Sequence, residues 1–571
     1  MKVLFSALHF ANFRNYESAA RALADRGHQV HLVAEEPESF GGQALVERLA
    51  AEYSNLTWGW MPSPASEPWF PFAQKIRYAL DYVRFLAPEY LEAEKLRIRN
   101  LQRTPRVVRW ATSSLGRAVL GQRAVLRALV WLEQRLPMSS AVKRYLEEQR
   151  PDVLLFTSLT VARSAQIHQI KAARSLGVRS AACILSWDHL SSKALLHVAP
   201  DRTLVWNDTQ KTEAVQMHGL AAESVVVTGA QCYDQWFDRR PVRSREEFCR
   251  AMGLDPARRI VLYVCSAMSP VPDPVEPVFV REWVQALRSS ADADLREAAV
   301  LVRPHPERVR EWRGVTLDDL DHVVVSGRTP IDSEAKADYF DSLYYSDAVV
   351  GLCTSVFLEA AIVGRPVLTL LLPAFRMHQE GMAHFRYLLN VGGGLLHTAT
   401  SLPAHLEQLG VAVRNQGARD ARNRRFLEAF IRPEGLDVAA TPRFVGAVES
   451  LASTPSPRPD QLFAAPSLAT AWVGHLAAAT QSGPGAWLMM DAIDIERSAA
   501  ERDKAEDKDA RAAARDTYRT AKATQSELAA QEKERERRRK SRARWWRGLS
   551  AQKQLARLKG SVKHLLGVRA Q

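Results

Sequence analysis

The sequence predicts an α/β protein in which two parallel sheets, each covered by helices on both faces, stand in tandem and face a cleft. Two observations lead there. Short apolar runs alternate with helix-like segments twice over, first across residues 1–230 and again from residue 259 onwards. A polar, arginine-rich stretch at 238–250 separates the two series. At 571 residues the chain exceeds what one hydrophobic core serves, so two domains with appendages are the natural partition.

Taken in order, residues 2–8 read as a buried strand, 16–24 as a helix stopped by Asp25-Arg26-Gly27-His28, and 29–34 as a second strand. From about 72 to 150 the pattern turns to long, basic, Leu- and Arg-rich helical segments, which mark an insertion. Strand-like runs resume at 152–156, 180–185, 203–206 and 225–229, closing a first domain over 1–230. A second domain, 231–450, carries runs at 259–264, 300–302, 322–325, 348–351 and 366–370. A linker and helix are expected over 451–495, and a charged helical tail over 496–571.

No stretch of about 18 apolar residues is present to span a bilayer, and the start runs into a strand rather than a signal peptide. The sequence therefore places the chain in the cytoplasm. Five scattered cysteines argue for packed thiols and against a zinc site or a disulfide framework. The net charge of +13 is concentrated: residues 537–571 hold twelve Lys or Arg and no acid, and residues 95–135 hold ten against the single Glu133. The remainder is acidic, which points to two defined anionic contacts rather than to general nucleic-acid binding.

Four loops carry residues suited to chemistry. In the segment 346–360, a strand ends near Gly351, and Thr354 and Ser355 occupy the turn into a helix, where free amides and the helix dipole suit a phosphate. Glu359, one turn on, can accept from a ribose diol; a helix cap and a surface acid fit these residues equally well. In Leu301-Val302-Arg303-Pro304-His305-Pro306, two prolines hold Arg303 and His305 in extended geometry, a reasonable diphosphate contact. The loop Ser186-Trp187-Asp188-His189-Leu190-Ser191-Ser192-Lys193 offers a general base and anion ligands together. The loop from His9 to Asn15, with Arg14, is polar where a plain connector need not be. The pairs Asp292/Asp294 and Asp319/Asp321 read as surface acids, and no metal is expected. Neither a dinucleotide-binding nor a Walker-type glycine loop occurs.

The Arg-Pro-His-Pro element, the Ser346-Asp347 to Gly364-Arg365-Pro366-Val367 element, the Ser-Trp-Asp loop and the junction at 227–234 resemble bacterial surface-carbohydrate glycosyltransferases of the two-Rossmann-domain (GT-B) type. They resemble CDP-glycerol glycerophosphotransferases more distantly. The resemblance covers roughly residues 1–435. It implies a transfer from a nucleotide-sugar donor to a lipid-linked or polysaccharide acceptor of the cell envelope, with the donor as substrate and neither cofactor nor metal. It assigns the donor nucleotide to Arg303, His305, Thr354, Ser355 and Glu359. Catalytic roles fall to Asp188, His189 and His9, and phosphate or acceptor contacts to Arg14 and Lys193. A nucleotide-sugar epimerase shares the same two domains, and a non-catalytic membrane-associated scaffold is the alternative from another class. In the tail, the basic run 537–544 leads into Trp545-Trp546, and Leu555, Leu558, Val562, Leu565 and Leu566 share one helical face, as in a peripheral anchor on an anionic membrane surface.

Overall fold

The computed structural model describes residues 1–492 except 39–40, 88–89, 91–92, 158, 162–163, 268–274, 328–329, 331–332, 415–420, 456 and 465–466. The charged tail and its basic amphipathic end lie outside the described residues.

The two series of apolar runs form two sheets. The first contains β1 (Lys2–Ala7), β2 (Gln29–Ala34), β3 (Leu56–Trp60), β4 (Val153–Phe156), β5 (Arg179–Cys183), β6 (Arg202–Val205) and β7 (Val225–Val227), in the order β3-β2-β1-β4-β5-β6-β7. The second contains β8 (Ile260–Val264), β9 (Ala299–Arg303), β10 (Val323–Val325), β11 (Ala348–Gly351), β12 (Val367–Leu370) and β13 (His397–Ala399), in the order β10-β9-β8-β11-β12-β13. Every pairing is parallel. Central strands such as β4 and β8 are buried on both faces, which is why they read as unbroken apolar runs rather than alternating ones. Strand order reverses between β1 and β4 in one sheet and between β8 and β11 in the other. Those two points open crevices at the carboxyl ends of the strands, where loops gather.

Between β3 and β4 lies a helical block that includes Phe70–Arg84, Glu94–Gln102, Arg106–Ala111, Ser114–Leu120, Gln122–Arg135 and Ser140–Gln149. Its own core joins Trp69, Ala73, Ile76, Leu80 and Leu129. A buried charge network ties it to the helix Gln166–Leu176 of the first sheet. The Arg77 guanidinium donates to both carboxylate oxygens of Glu133, at 3.0 and 3.2 Å, and Lys171 Nζ lies 3.0 Å from the same carboxylate. Arg77 also meets a ring nitrogen of His168 at 2.9 Å. Burial alone would raise the Glu133 pKa, but the two cations outweigh it and hold the carboxyl at about 2.

The chain crosses between the sheets twice. It leaves after β7 and returns before the helix Ala440–Ser453, whose Phe444, Val445 and Val448 share a core with Val3, Phe5 and Leu32 of the first sheet. Residues 440–450, which the sequence rhythm groups with the second domain, thus pack on the first sheet. Asp234 fastens both crossings: it accepts from Arg432 Nε and Nη2 at 3.2 and 2.8 Å, from the Ala440 and Thr441 amides at 3.0 and 2.7 Å, and from Thr441 Oγ1 at 2.7 Å. Gly229 makes the crossing close. Its φ is +84°, and a Cβ there would lie 2.7 Å from that of Ala440.

Candidate functional site

The loops that follow the strands meet in a cleft of about 350 Å³ between the sheets. After β5 come Ser186, Trp187, Asp188, Ser192 and Lys193; after β8, Ala267; after β9, His305; after β11, Cys353, Thr354 and Ser355; after β12, His378, Met382 and His384. Lys95 and Arg99 complete the wall from the helix Glu94–Gln102 of the inserted block.

The geometry around Asp188 follows from local chain folding. A single helical turn, His189–Ser192, brings Ser192 back so that its hydroxyl donates to Asp188 Oδ2 at 2.8 Å, while Ser186 donates to Oδ1 at 2.7 Å. Lys193 Nζ stands 3.9 Å from the same carboxylate. Burial pushes the Asp188 pKa upward, but His189, Lys193, His384 and the Ser186 hydroxyl prevail and hold it well below the usual carboxylate range. Asp188, which the sequence offers as a catalytic acid or base, thus stands in the cleft wall as a carboxylate that accepts from two hydroxyls. The inserted block holds this loop in place. Arg99 donates to the Ser192 carbonyl, and Arg84 Nη2 to that of Lys193 at 2.6 Å.

Across the cleft, His305 Nδ1 accepts the Glu307 amide at 3.3 Å, capping the 3-10 turn Pro306–Trp312. Burial lowers its pKa, and with Nδ1 used as an acceptor the neutral ring carries its proton on Nε2, where it can be donated to a ligand oxygen. His378 and His384 are pushed down to about 4, chiefly by burial, so both are neutral at physiological pH. Ser355 is exposed at the start of the short helix Val356–Ile362 and makes no capping bond with its side chain. Thr354 Oγ1 accepts the Val356 amide at 3.4 Å. Among the described residues, the cleft's fixed charges stand on the side of the first sheet and its insertion: Lys95, Arg99 and Lys193 against Asp188. The second sheet contributes neutral imidazoles and hydroxyls. Burial lowers the Lys95 pKa to about 8, so its ammonium is held at a desolvation cost that an anion would relieve.

Among the described residues, Asp188, Lys193, His305, Thr354 and Ser355 of the sequence candidates line this cleft, and five others do not. Arg303 ends β9 buried, its guanidinium 5.4 Å from the Tyr339 ring centre. The Tyr339 hydroxyl donates to Glu359, whose pKa burial pushes up to about 7 against the pull of Tyr339 and Arg14. Glu359 thus has a protein partner where a free ribose contact was expected. Arg14 lines a separate pocket of about 180 Å³ with Glu17, Arg21, Gln231 and Cys232. His9 belongs to a short 3-10 turn, its amide donating to Asn12 Oδ1 at 3.0 Å and its Nδ1 lying 3.3 Å from the Glu36 carbonyl. His189 faces Thr160 Oγ1 at 3.4 Å, with burial lowering its pKa to about 4.

Sequence reasoning missed Lys95, Arg99, His378 and His384. The i, i+4 spacing of Lys95 and Arg99 puts them on one helix face, but nothing in a uniformly basic segment shows which face meets a cleft. Also missed was a tie across the domains, where the Tyr387 hydroxyl donates to Glu213 and burial pushes the Glu213 pKa up to about 7. Arginines meet the residues of the two acid pairs: Arg414 lies 2.5 Å from Asp292 and 3.8 Å from Asp294, Arg281 pairs with Asp319, and Arg288 Nε donates to the Asp321 carbonyl at 2.7 Å.

Comparison with family models and with curated proteins finds no match. Among solved structures, the chain is similar to a glycosyltransferase from Rickettsia africae (TM-score 0.46, 10% identity, covering 80% of this chain and 99% of that one). It is similar to Staphylococcus aureus MnaA solved with UDP (0.45, 11%, 81% and 99%). It is also similar to a UDP-GlcNAc 2-epimerase from Methanocaldococcus jannaschii (0.45, 11%, 79% and 100%). Scores at this level bear on neither fold nor reaction, and the two-sheet layout of this chain rests on its own strand order.

Proposed function

We propose that the cleft binds a nucleotide-activated sugar and transfers the sugar to a hydroxyl of a cell-envelope acceptor, lipid-linked or polymeric. The observation that carries this reading is the charge arrangement: Lys95, Arg99 and Lys193 surround one low-pKa carboxylate, opposite the His305 Nε2 donor and the Thr354 and Ser355 hydroxyls. A diphosphate leaving group needs such a set, because donors fixed in a partly dry site stabilise developing negative charge without reorganising. Asp188 accepts the hydrogen bond of the attacking hydroxyl and orients it. The neutral imidazole of His384, on the opposite wall, takes the proton as the sugar is transferred.

Isothermal titration of the full chain with UDP, GDP, CMP and CDP-glycerol tests the reading, and one nucleoside diphosphate should bind well ahead of the rest. Preference for CDP-glycerol would replace the sugar with a glycerophosphate, release of nucleotide from a nucleotide sugar without any acceptor would indicate an epimerase, and no binding at all would leave only a scaffold. With the true acceptor, Asp188→Asn and His384→Ala should each keep nucleotide affinity and lower turnover. Full turnover in His384→Ala would remove it as proton acceptor.

A further inference from the structure

The inserted helical block carries a second surface whose chemistry differs from that of the cleft. Among the described residues, large apolar side chains left exposed are concentrated on it: Trp110 is 53% exposed, Leu115 and Val119 are 66%, and Trp131 is 40%. The helix Leu468–Ala479 extends the same patch, since Trp472, 47% exposed, lies with its ring centre 6.0 Å from that of Trp131. Soluble proteins seldom leave so much contiguous apolar surface in water unless something covers it. The charges interleaved with it are of one sign. Residues 95–132 contain nine Lys or Arg and no acid, and Arg109, Arg117, Arg123 and Arg127 are exposed beside the apolar side chains.

We infer that this face, formed by 106–131 together with 468–490, docks on the surface of an anionic lipid bilayer. Indole rings suit the polar-apolar boundary of a membrane, and arginines set among them suit lipid phosphates. No helix among the described residues is long and apolar enough to cross a membrane, so the contact lies in the interface plane. The chain's own basic end, 537–571, carries the same sign of charge as the patch, so charge complementarity favours an anionic surface as its occupant. The cleft shares the insertion with this face, through Lys95 and Arg99. The inference does not depend on which reaction the cleft performs.

Hydrogen exchange of the full chain, with and without vesicles of 3:1 phosphatidylcholine to phosphatidylglycerol, tests it. Peptides spanning 106–131 and 468–490 should be protected by these vesicles, and much less by phosphatidylcholine alone. Co-sedimentation of the full-length Leu115→Ser/Val119→Ser/Trp131→Ser variant and of Arg117→Glu/Arg123→Glu/Arg127→Glu should show at least ten-fold weaker partitioning, with melting temperatures close to that of the unsubstituted chain. Binding to anionic vesicles without protection of 106–131 would overturn the assignment, as would partitioning of both variants within two-fold of the parent. Protection of 106–131 that is present without lipid and disappears on dilution, together with a concentration-dependent dimer, would assign the face to a second copy of the chain instead.

Discussion

Two charged clusters in this protein are built from the same residue types and do opposite things. Beneath the insertion, Arg77 and Lys171 close on the Glu133 carboxylate at 3.0 to 3.2 Å, and all three side chains are buried. In the cleft, Lys95, Arg99 and Lys193 face a single aspartate that two hydroxyls already satisfy, and part of the wall is open to solvent. Charge that is matched and buried holds elements together, whereas charge left in excess at a cleft waits for a ligand. The type of residue is shared by both; the balance of charge and the access of water separate them.

Breaking the buried cluster should have the largest effect. Glu133→Ala leaves two cations buried without a partner and should cost about 3 to 5 kcal/mol in denaturant unfolding. Replacing Glu133 with Leu and both cations with Met should recover most of that loss. If the single substitution costs less than about 1 kcal/mol, the network is not what docks the insertion.

The buried glutamates also differ in the sign of their pH dependence. Glu133, held at about 2, contributes stability present above the ordinary glutamate pKa and lost only as pH falls towards 2. Glu213, pushed up to about 7, contributes stability that is full below the ordinary glutamate pKa and declines as pH rises through about 7. A shift of this size is worth up to about 3 kcal/mol. Unfolding free energies measured from pH 4 to 8 should therefore fall less steeply in Glu213→Gln than in the parent. Identical slopes would show that burial does not raise the Glu213 pKa in solution.

Lys95→Ala/Arg99→Ala should lower nucleotide affinity ten-fold or more, as expected for a lost charge-assisted hydrogen bond of about 1.5 to 3 kcal/mol, with only a modest fall in the unfolding midpoint from the lost Arg99 bond to the Ser192 carbonyl. A large fall in stability with unchanged affinity would place these cations with the structural cluster. The smallest effect should come from Glu359→Ala: with its carboxylate engaged by Tyr339, nucleotide affinity should change less than about three-fold by calorimetric titration. A ten-fold loss would mean that Tyr339 releases Glu359 to the ligand.

The legible parts of the sequence were those whose neighbours along the chain are also neighbours in space. The two-sheet plan was readable because central strands are short apolar runs between helices. The edge strands β3 and β13 were not: Leu56–Trp60 is partly exposed and interrupted by Gly59, and His397–Ala399 lacks the apolar run that marks the equally short β7 and β10. Asp188, Lys193, His305, Thr354 and Ser355 were found because each follows a strand end. Lys95, Arg99, His378 and His384 arrive from elements that no local pattern links to the cleft. Nor does the amphipathic pattern of Ala440–Ser453 say which sheet it covers, since any apolar face would accept it.

That returning helix has a consequence for how the protein is made. The first sheet's core is complete only when Phe444 and Val448 reach Phe5 and Val3, at the far end of the described chain. A ribosome delivers β1 to β7 long before that helix exists, so the nascent first half must wait with part of its apolar floor exposed until the whole second sheet has been synthesised and has folded. The second sheet is in effect a large loop within the first domain, and the order of translation makes it the half that can finish first.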